Sequence, residues 1–309
     1  MNRKVGLAAA GLCLAAAALL GLAAAGGLFA PGVRPDENGI YTAKGHWVEA
    51  LGRADTDSAA RFAEKLKALK ADLLTGQNRA FYAIVPDKGY YLPGEVKPAT
   101  DYAARFAAAD GGLAGSGIEK IDLTGALALE DYYRTDSHWR QERLSAVLEA
   151  LGGAMGFSVD LDDFDPVTVE GFIGAYGKYG ANEPESLTYL VSGVTDAAVC
   201  DNYQYPDFTA VYDTARLSTD VPYDVFLSGA SPLITIESPL AATDRELVVF
   251  RDSYASSLVP LLLGQYCRVT LVDIRYMVSG LVPQYLEFAD QDVLFLYSTY
   301  IVNQSAMLR

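Results

Sequence analysis

The chain has 309 residues and a formal net charge of −15 at neutral pH. Proteins that bind DNA, RNA or anionic lipid need Lys and Arg to neutralise phosphates, so this charge argues against those three classes of partner. The sequence contains two histidines, His46 and His138, which nearly excludes a multi-histidine metal site. We therefore expect no nucleic-acid partner, no metal and no cofactor.

The first thirty residues have the pattern of an export signal. Arg3 and Lys4 precede an apolar run, Val5 to Ala30, that contains no charged residue. A short basic head before an apolar stretch is typical of a secretory signal, and the run also reaches the roughly 20 residues that span a bilayer. Residues 1–30 are therefore interpreted as a signal peptide, cleaved near Ala25, or as a membrane anchor. Either outcome places the remainder outside the cytosol, secreted or anchored on the outer face of the bacterial cytoplasmic membrane.

Residues 31–309 are interpreted as one domain of alternating strands and helices. Its first part predicts a tether, a hairpin near residues 39–51, a helix from residue 57 to Gly76, a strand over 79–85, a helix over 101–109 and a strand over 118–123. A further helix is expected to begin near Ser137 and to end at Gly152-Gly153. Residues 155–245 are rich in Tyr, Asp, Gly and Pro, and predict a less regular insertion with long loops.

The carboxy-terminal part returns to regular elements. It predicts a strand over 247–250, a helix to about residue 265, and strands over 267–274 and 293–297. Strands that alternate with helices favour an α/β domain with a mostly parallel sheet and helices on both faces. Ligands of such sheets bind at the carboxyl ends of the strands, and Ser253 directly follows the strand 247–250. Cys200 and Cys267 are too few for a zinc site, and the sequence does not settle whether they pair.

One constellation of side chains carries chemistry. A nucleophilic serine needs a base, and the base needs a carboxylate that fixes its tautomer. His138 with Asp136 two residues earlier supplies the base and the carboxylate, and Ser253 at a strand-to-helix turn supplies the hydroxyl. The Ser253 amide and the helix N-terminal amides are expected to hold an oxyanion. The alternatives remain open, because Asp136 and Ser253 are equally ordinary helix caps.

The residues around this constellation resemble a known family. The segment Tyr133-Arg134-Thr135-Asp136-Ser137-His138-Trp139 resembles the signature of the bacterial DHHW proteins. Residues 251–255, followed by 272–276, resemble that family's carboxy-terminal signature, and residues 83–88 and 174–178 resemble further shared segments. Two positions depart from the pattern. Ser137 replaces the first histidine of the family name, and Arg251 stands where SGNH enzymes often have glycine.

The DHHW family is similar to the SGNH-like domains of alginate O-acetyltransferases. The resemblance implies a three-layer SGNH-hydrolase-like fold, with Ser253 as nucleophile, His138 as base and Asp136 as its orienting carboxylate. It implies an extracytoplasmic O-acyltransferase or esterase that acts on a cell-envelope polysaccharide. The expected partners are a cell-envelope glycan, an acyl donor and a membrane-bound acyltransferase that supplies the acyl group.

Two other functions remain in view. The departures at Ser137 and Arg251 are compatible with a non-catalytic envelope-binding or scaffold protein of the same fold. A metal-dependent hydrolase that uses Asp136, His138 and Asp252 is a third alternative, disfavoured by the scarcity of histidine.

Several further side chains are candidates for secondary roles. Four residues are expected to contact substrate: Tyr133, Tyr176, Tyr254 and Arg275. For Arg275, a structural ion pair with Asp273 or another carboxylate is the favoured alternative. Tyr132 is a further candidate, with the other three tyrosines, for lining a sugar-binding cleft. Lys88 is interpreted as a loop cation and His46 as a structural residue.

Overall fold

The centre of the molecule is a seven-stranded sheet in the computed structural model, which describes residues 32–309. The strands of the described part are β1 (Ile40–Ala43), β2 (His46–Glu49), β3 (Arg79–Val85), β4 (Glu119–Ile121), β5 (Asp165–Phe172), β6 (Glu185–Val191), β7 (Val199–Asn202), β8 (Leu233–Glu237), β9 (Glu246–Arg251), β10 (Arg268–Val272) and β11 (Asp292–Ser298). The α-helices are α1 (Thr56–Leu73), α2 (Tyr102–Leu113), α3 (Ser145–Met155), α4 (Gly193–Ala197), α5 (Tyr254–Leu262) and α6 (Thr299–Asn303).

The sheet has the strand order β4-β3-β11-β9-β10-β8-β7. Its first five strands are parallel, whereas β8 pairs antiparallel with β10 and β7 pairs antiparallel with β8. Two hairpins, β1–β2 and β5–β6, lie outside this sheet. The carboxyl ends of β3, β9, β10 and β11 therefore lie at one edge, where parallel sheets place their ligands.

Helices cover both faces of the sheet because the side chains of each strand alternate between them. On β3, Phe81 and Ala83 point to the face covered by α3 and α5, while Tyr82 and Ile84 point to the face covered by α1, α2 and α6. Both faces are apolar along the parallel strands, as burial on two sides requires. The expectation of a three-layer α/β domain with a mostly parallel sheet is confirmed.

One predicted helix boundary is wrong. The helix expected near Ser137 begins at Ser145, because the preceding backbone pairs with itself across a turn. Tyr132 and Trp139 form an antiparallel bridge, and the Arg140 amide donates to the Asp131 carbonyl. Those groups are therefore unavailable for helical hydrogen bonds, and Asp136 is not a helix cap.

The same helix continues past the predicted Gly152-Gly153 stop. It ends at Met155, where Gly156 adopts a left-handed conformation with φ of 78° and donates its amide to the Gly152 carbonyl. Gly152 lies inside the helix against the Phe157 carbonyl, and a Cβ there would approach that oxygen to 2.4 Å. The glycine serves close packing at this position and does not end the helix.

The region 155–245 is more ordered than expected. It forms the β5–β6 hairpin and short 3₁₀ helices, and its last two strands, β7 and β8, extend the main sheet. The interpretation of residues 1–30 as a signal or anchor lies outside the described residues. Within residues 32–309, no helix is both long and apolar enough to cross a bilayer.

His46 lies in the predicted amino-terminal hairpin, which the structure confirms as β1–β2. It pairs with Ala43 across the hairpin and is 7% exposed. Burial, followed by the nearby charge of Lys88, lowers the pKa of His46 to about 4. The folded protein therefore resists protonation of this ring, which fits the interpretation of His46 as a structural residue.

We predict that His46 makes the fold less stable in mild acid. Between pH 6.5 and 4 the unfolded chain protonates His46 and the folded chain does not, so stability falls as the pH falls. The free energy of unfolding should drop by about 2 kcal/mol more between pH 7 and pH 5 in the wild type than in His46→Gln. Urea unfolding at the two pH values measures this difference, and equal drops in both proteins would contradict it.

Candidate active site

Loops that follow four parallel strands build one site. Asp87 and Lys88 follow β3, Ser253 follows β9, Arg275 follows β10, and Ser298 ends β11. These residues line a single cavity of about 210 Å³. The other wall of the cavity comes from β2 and from the loops at Ser137 and Tyr176.

Three predicted residues meet beside this cavity in a continuous hydrogen-bonded chain. The Ser253 Oγ lies 2.7 Å from His138 Nε2, and His138 Nδ1 lies 2.6 Å from Asp136 Oδ1. Both distances are within hydrogen-bond reach for a nucleophile, a base and an orienting carboxylate. The structure thus brings together two stretches of chain that are 115 positions apart in sequence. The catalytic role of the three residues stays a prediction.

Asp136 is a buried carboxylate whose oxygens are fully engaged. Oδ1 accepts hydrogen bonds from the His138 amide and ring, and Oδ2 accepts one from the Ala175 amide at 2.7 Å. Burial by itself would raise the pKa of Asp136, but the charge of His138 and these hydrogen bonds outweigh it and hold the pKa well below its usual range. Asp136 is therefore ionised at neutral pH and fixes His138 with Nδ1 as the protonated nitrogen.

Lys88 fixes the backbone of the turn that carries Asp136. Its ammonium group is buried and donates to the carbonyls of Tyr133, Arg134 and Asp136 at 3.0, 3.3 and 2.7 Å. The three N–H donors of the ammonium group are thus each paired with a carbonyl acceptor. Burial lowers the pKa of Lys88 to about 7, while the charge of Asp136 opposes this shift. The interpretation of Lys88 as a loop cation is wrong, because its side chain is buried. Its neighbours in the sequence gave no sign of this burial.

Glu185 fixes the amides of the same turn. Its carboxylate accepts from the Arg134 amide at 3.0 Å and from the amide and hydroxyl of Thr135 at 2.8 and 2.7 Å. It also forms an ion pair with Arg140. Glu185 belongs to β6, so the hairpin of the insertion is part of the structure that holds the site. Sequence reasoning did not identify this residue, because its partners Arg134 and Thr135 lie 51 and 50 positions away.

Gly174 is required by a close approach. A Cβ atom at this position would lie 2.2 Å from the Cβ atom of Asp136 and 2.5 Å from its Oδ2. Only glycine therefore allows the following residue, Ala175, to donate its amide to Asp136. This contact gives a physical reason for the segment 174–178, which the sequence analysis recognised only by resemblance.

Tyr223 stacks on the ring of His138, a contact that sequence reasoning missed. The ring centroids are 3.8 Å apart and the planes differ by 7°. The Tyr223 hydroxyl donates to Ser257 Oγ at 2.8 Å, which fixes the ring. Tyr223 lies in the least regular part of the sequence, where no periodicity signals a buried residue. Its stacking prevents His138 from rotating away from Ser253.

Ser253 occupies the N-cap position of α5. Asp252 holds this turn, since its carboxylate accepts from the amides of Tyr254 and Ser298 at 3.1 and 2.7 Å. The amides of Ala255 and Ser256 donate to backbone carbonyls of the same turn. Among the described residues, these contacts leave the Ser253 amide as the free donor of the turn. We had expected several helix amides to be able to hold an oxyanion, but in the described turn the Ser253 amide alone is available for this role.

Arg251 lies beneath Ser253 and does not contact the cavity. It is fully buried, and its Nη1 donates to Ser256 Oγ at 2.6 Å. Burial lowers the pKa of Arg251, and Asp273 opposes this effect. The arginine in place of the usual glycine therefore points into the interior, toward Ser256.

The candidate substrate contacts divide into two groups. Tyr176, Tyr254 and Arg275 line the cavity beside Ser253. Asp273 holds Arg275 through Nε at 2.9 Å and Nη2 at 2.6 Å. Tyr133 does not line the cavity, and its expected contact with substrate is wrong.

The physical reason for the failure at Tyr133 is burial. Its side chain has no exposed surface and packs against Phe172, Tyr223 and Arg140. Tyr132 is equally buried and donates its hydroxyl to the Pro86 carbonyl. Both tyrosines pack on the buried side of the turn and support it.

In the described part of the chain, few side chains are arranged to support metal or thiol chemistry. Within residues 32–309, no three His, Cys, Asp or Glu side chains converge as a metal-binding group. Cys200 and Cys267 are free thiols, and burial raises the pKa of each. A thiol with a raised pKa is a poor nucleophile, because less of it is present as thiolate.

We predict that Lys88→Met destabilises the fold by about 2–4 kcal/mol, because three buried carbonyls lose their donor while the charge is removed. Lys120→Met is the matched control, because Lys120 forms an exposed ion pair with Asp110 that is worth at most about 1 kcal/mol. Urea unfolding measures both variants. Equal stabilities of the two variants would show that Lys88 does not hold the turn.

Solved structures resemble this fold. A DHHW family protein from Eubacterium siraeum is 23% identical, with a TM-score of 0.70 over 86% of this chain and 93% of that chain. Bacillus cereus PatB1, solved with a sulfonyl adduct, is 16% identical, with a TM-score of 0.67 over 85% of this chain and 95% of that chain. No family model and no curated protein matches the sequence. The chain therefore has the fold of that DHHW family protein and of PatB1, which confirms the resemblance at the level of the fold.

Proposed function

We propose that this chain is a serine-dependent O-acyltransferase or esterase that acts outside the cytosol on a cell-envelope polysaccharide. One observation carries the proposal, namely the unbroken hydrogen-bonded chain from Asp136 through His138 to Ser253 beside a cavity. The sequence of residues 1–30 supports the location. The resemblance to DHHW proteins and alginate O-acetyltransferases supports the substrate class.

The first half-reaction forms an acyl-enzyme. Ser253 Oγ attacks the carbonyl carbon of the acyl donor, and His138 Nε2 takes the hydroxyl proton. The Ser253 amide donates to the oxyanion of the tetrahedral intermediate, while Asp136 stabilises the imidazolium. His138 then returns the proton to the leaving group, and acyl-Ser253 remains.

The second half-reaction transfers the acyl group to an acceptor hydroxyl. His138 removes the acceptor proton as its oxygen attacks acyl-Ser253, and the proton returns to Ser253 Oγ when the ester bond breaks. A sugar hydroxyl as acceptor makes the protein a transferase, and water makes it an esterase. A membrane-bound acyltransferase is the proposed source of the acyl group, and a cell-envelope glycan is the proposed acceptor.

We predict that a sulfonyl fluoride or a fluorophosphonate labels Ser253 in the folded protein. Sulfonylation joins the probe sulfur to Ser253 Oγ and releases fluoride, with His138 taking the proton. Ser253→Ala and His138→Ala should each abolish labelling. Peptide mass spectrometry locates the adduct.

The matched control for labelling is Ser218→Ala, which removes an exposed serine outside the cavity and should label like the wild type. Absence of labelling in a wild-type protein that folds normally would favour the scaffold alternative. In that case, Ser253→Ala would also leave the cellular phenotype unchanged.

We predict that Asp136→Asn lowers the rate of labelling, and of aryl acetate hydrolysis, by about 10³–10⁴-fold without unfolding the protein. The amide keeps the shape of the carboxylate but no longer fixes the required His138 tautomer or stabilises the imidazolium. Initial rates and circular dichroism measure the two effects. Asp162→Asn, at an exposed position, should react like the wild type. A loss smaller than about tenfold would mean that Asp136 only supports the fold.

A further inference from the structure

A second cavity adjoins the one beside Ser253. It has a volume of about 220 Å³ and shares Glu49 and Leu51 with the first cavity. Pro93 and Gly94 line it, together with Tyr41 and Glu49 of the β1–β2 hairpin. Glu49 and Leu51 thus stand where the two cavities meet.

The walls of this second cavity are aromatic. Tyr41, Tyr90 and Tyr102 all line it. Tyr90 and Tyr102 meet edge to face with ring centroids 5.4 Å apart, and the Tyr102 hydroxyl donates to Asp87 at 2.7 Å. The positions of these rings are therefore fixed before any ligand binds. Tyrosines offer an apolar face and a polar tip, which suits sugar rings that present C–H faces and hydroxyl edges.

One polar group at this cavity lacks a partner. Tyr41 is 4% exposed, and its hydroxyl makes no hydrogen bond among the described residues. The hydroxyl lies against Gly89, which also lines the cavity, at 3.4 Å from the place a Cβ would take. A buried hydroxyl without a partner is costly, and the hydroxyl of a bound ligand would remove that cost.

The volumes argue for a ligand that spans both cavities. Typical ligand sites enclose roughly 300–1,000 Å³, and each cavity alone is smaller than that range. The two together fall within it. A ligand whose reacting unit lies at Ser253 would therefore place its neighbouring unit beyond Glu49, among the tyrosines.

The charge of the second cavity's lining restricts the kind of sugar residue that can bind there. Glu49 is the single charged side chain among the described residues that line the second cavity. Partial burial, and then the charge of Asp87, raise the pKa of Glu49, so the two carboxylates already repel each other. A ligand carboxylate beside them would add a third negative charge at a cost of affinity.

We propose that the second cavity is a subsite for a non-anionic sugar residue of the acceptor glycan, next to the residue acylated at Ser253. This inference rests on the proposed function for the identity of its ligand. The subsite makes the enzyme prefer oligosaccharides to monosaccharides. It also makes the enzyme reject uronate chains.

The experiment titrates the purified protein with neutral trisaccharides (cellotriose, maltotriose and triacetylchitotriose) and with trigalacturonate, by calorimetry or ligand-observed NMR. At least one neutral trisaccharide should bind, and trigalacturonate about tenfold more weakly or worse. Tyr90→Ala should weaken the neutral ligand by about tenfold, and Glu49→Gln should narrow the difference between neutral and acidic ligands. Tyr203→Ala, at an exposed tyrosine of neither cavity, is the matched control and should bind normally.

The outcomes separate this inference from the proposed function, because labelling of Ser253 is measured in parallel. Labelled protein that binds no neutral trisaccharide at about 10 mM, or binds it unchanged in Tyr90→Ala, overturns the subsite and leaves the acyl chemistry standing. Equal affinity for trigalacturonate overturns the claim about charge. Tyr90-dependent binding without labelling supports the sugar site and counts against the acyltransferase or esterase. Circular dichroism of each variant verifies its fold.

Discussion

The site depends on keeping one carboxylate ionised inside the protein. A buried charge is tolerated only where hydrogen bonds and opposite charges satisfy it, and Asp136 has both. The surrounding turn is held with the same completeness. Lys88 donates hydrogen bonds to carbonyls of the turn, and Glu185 accepts hydrogen bonds from its amides. Few backbone groups of the turn are therefore left for water. These hydrogen bonds hold the irregular loop that carries His138.

The sheet positions Ser253, the other partner in the hydrogen bond with His138. Ser253 follows β9, the central strand of the seven-stranded sheet, and the amide of Ser298 at the end of β11 donates to Asp252. Ser253 therefore follows a buried strand of the sheet, while His138 comes from a loop held by Lys88 and Glu185. Rigid placement of both partners is what a short Ser253–His138 contact requires, because small displacements are costly in catalysis.

Much of this arrangement could be predicted from the sequence. Apolar runs located β3, β9, β10 and β11 nearly to the residue, and the scarcity of histidine singled out His138. The failures share a cause, which is that burial of polar residues depends on distant partners. Nothing near Lys88 indicates that three carbonyls from the turn at 133–136 surround it, and nothing near Tyr223 indicates that it stacks on an imidazole. The late start of α3 has the same origin, since the preceding residues pair across a turn.

The Glu185 carboxylate has a consequence for the engineering of the domain. It projects from the β5–β6 hairpin, which lies outside the main sheet and looks dispensable by topology. Trimming the hairpin to obtain a minimal scaffold would strip Arg134 and Thr135 of their acceptor and leave Arg140 with Glu142 as its remaining carboxylate partner. The peripheral hairpin and the turn that carries His138 therefore form one structural unit, and a shortened domain would need a replacement anion at the same place.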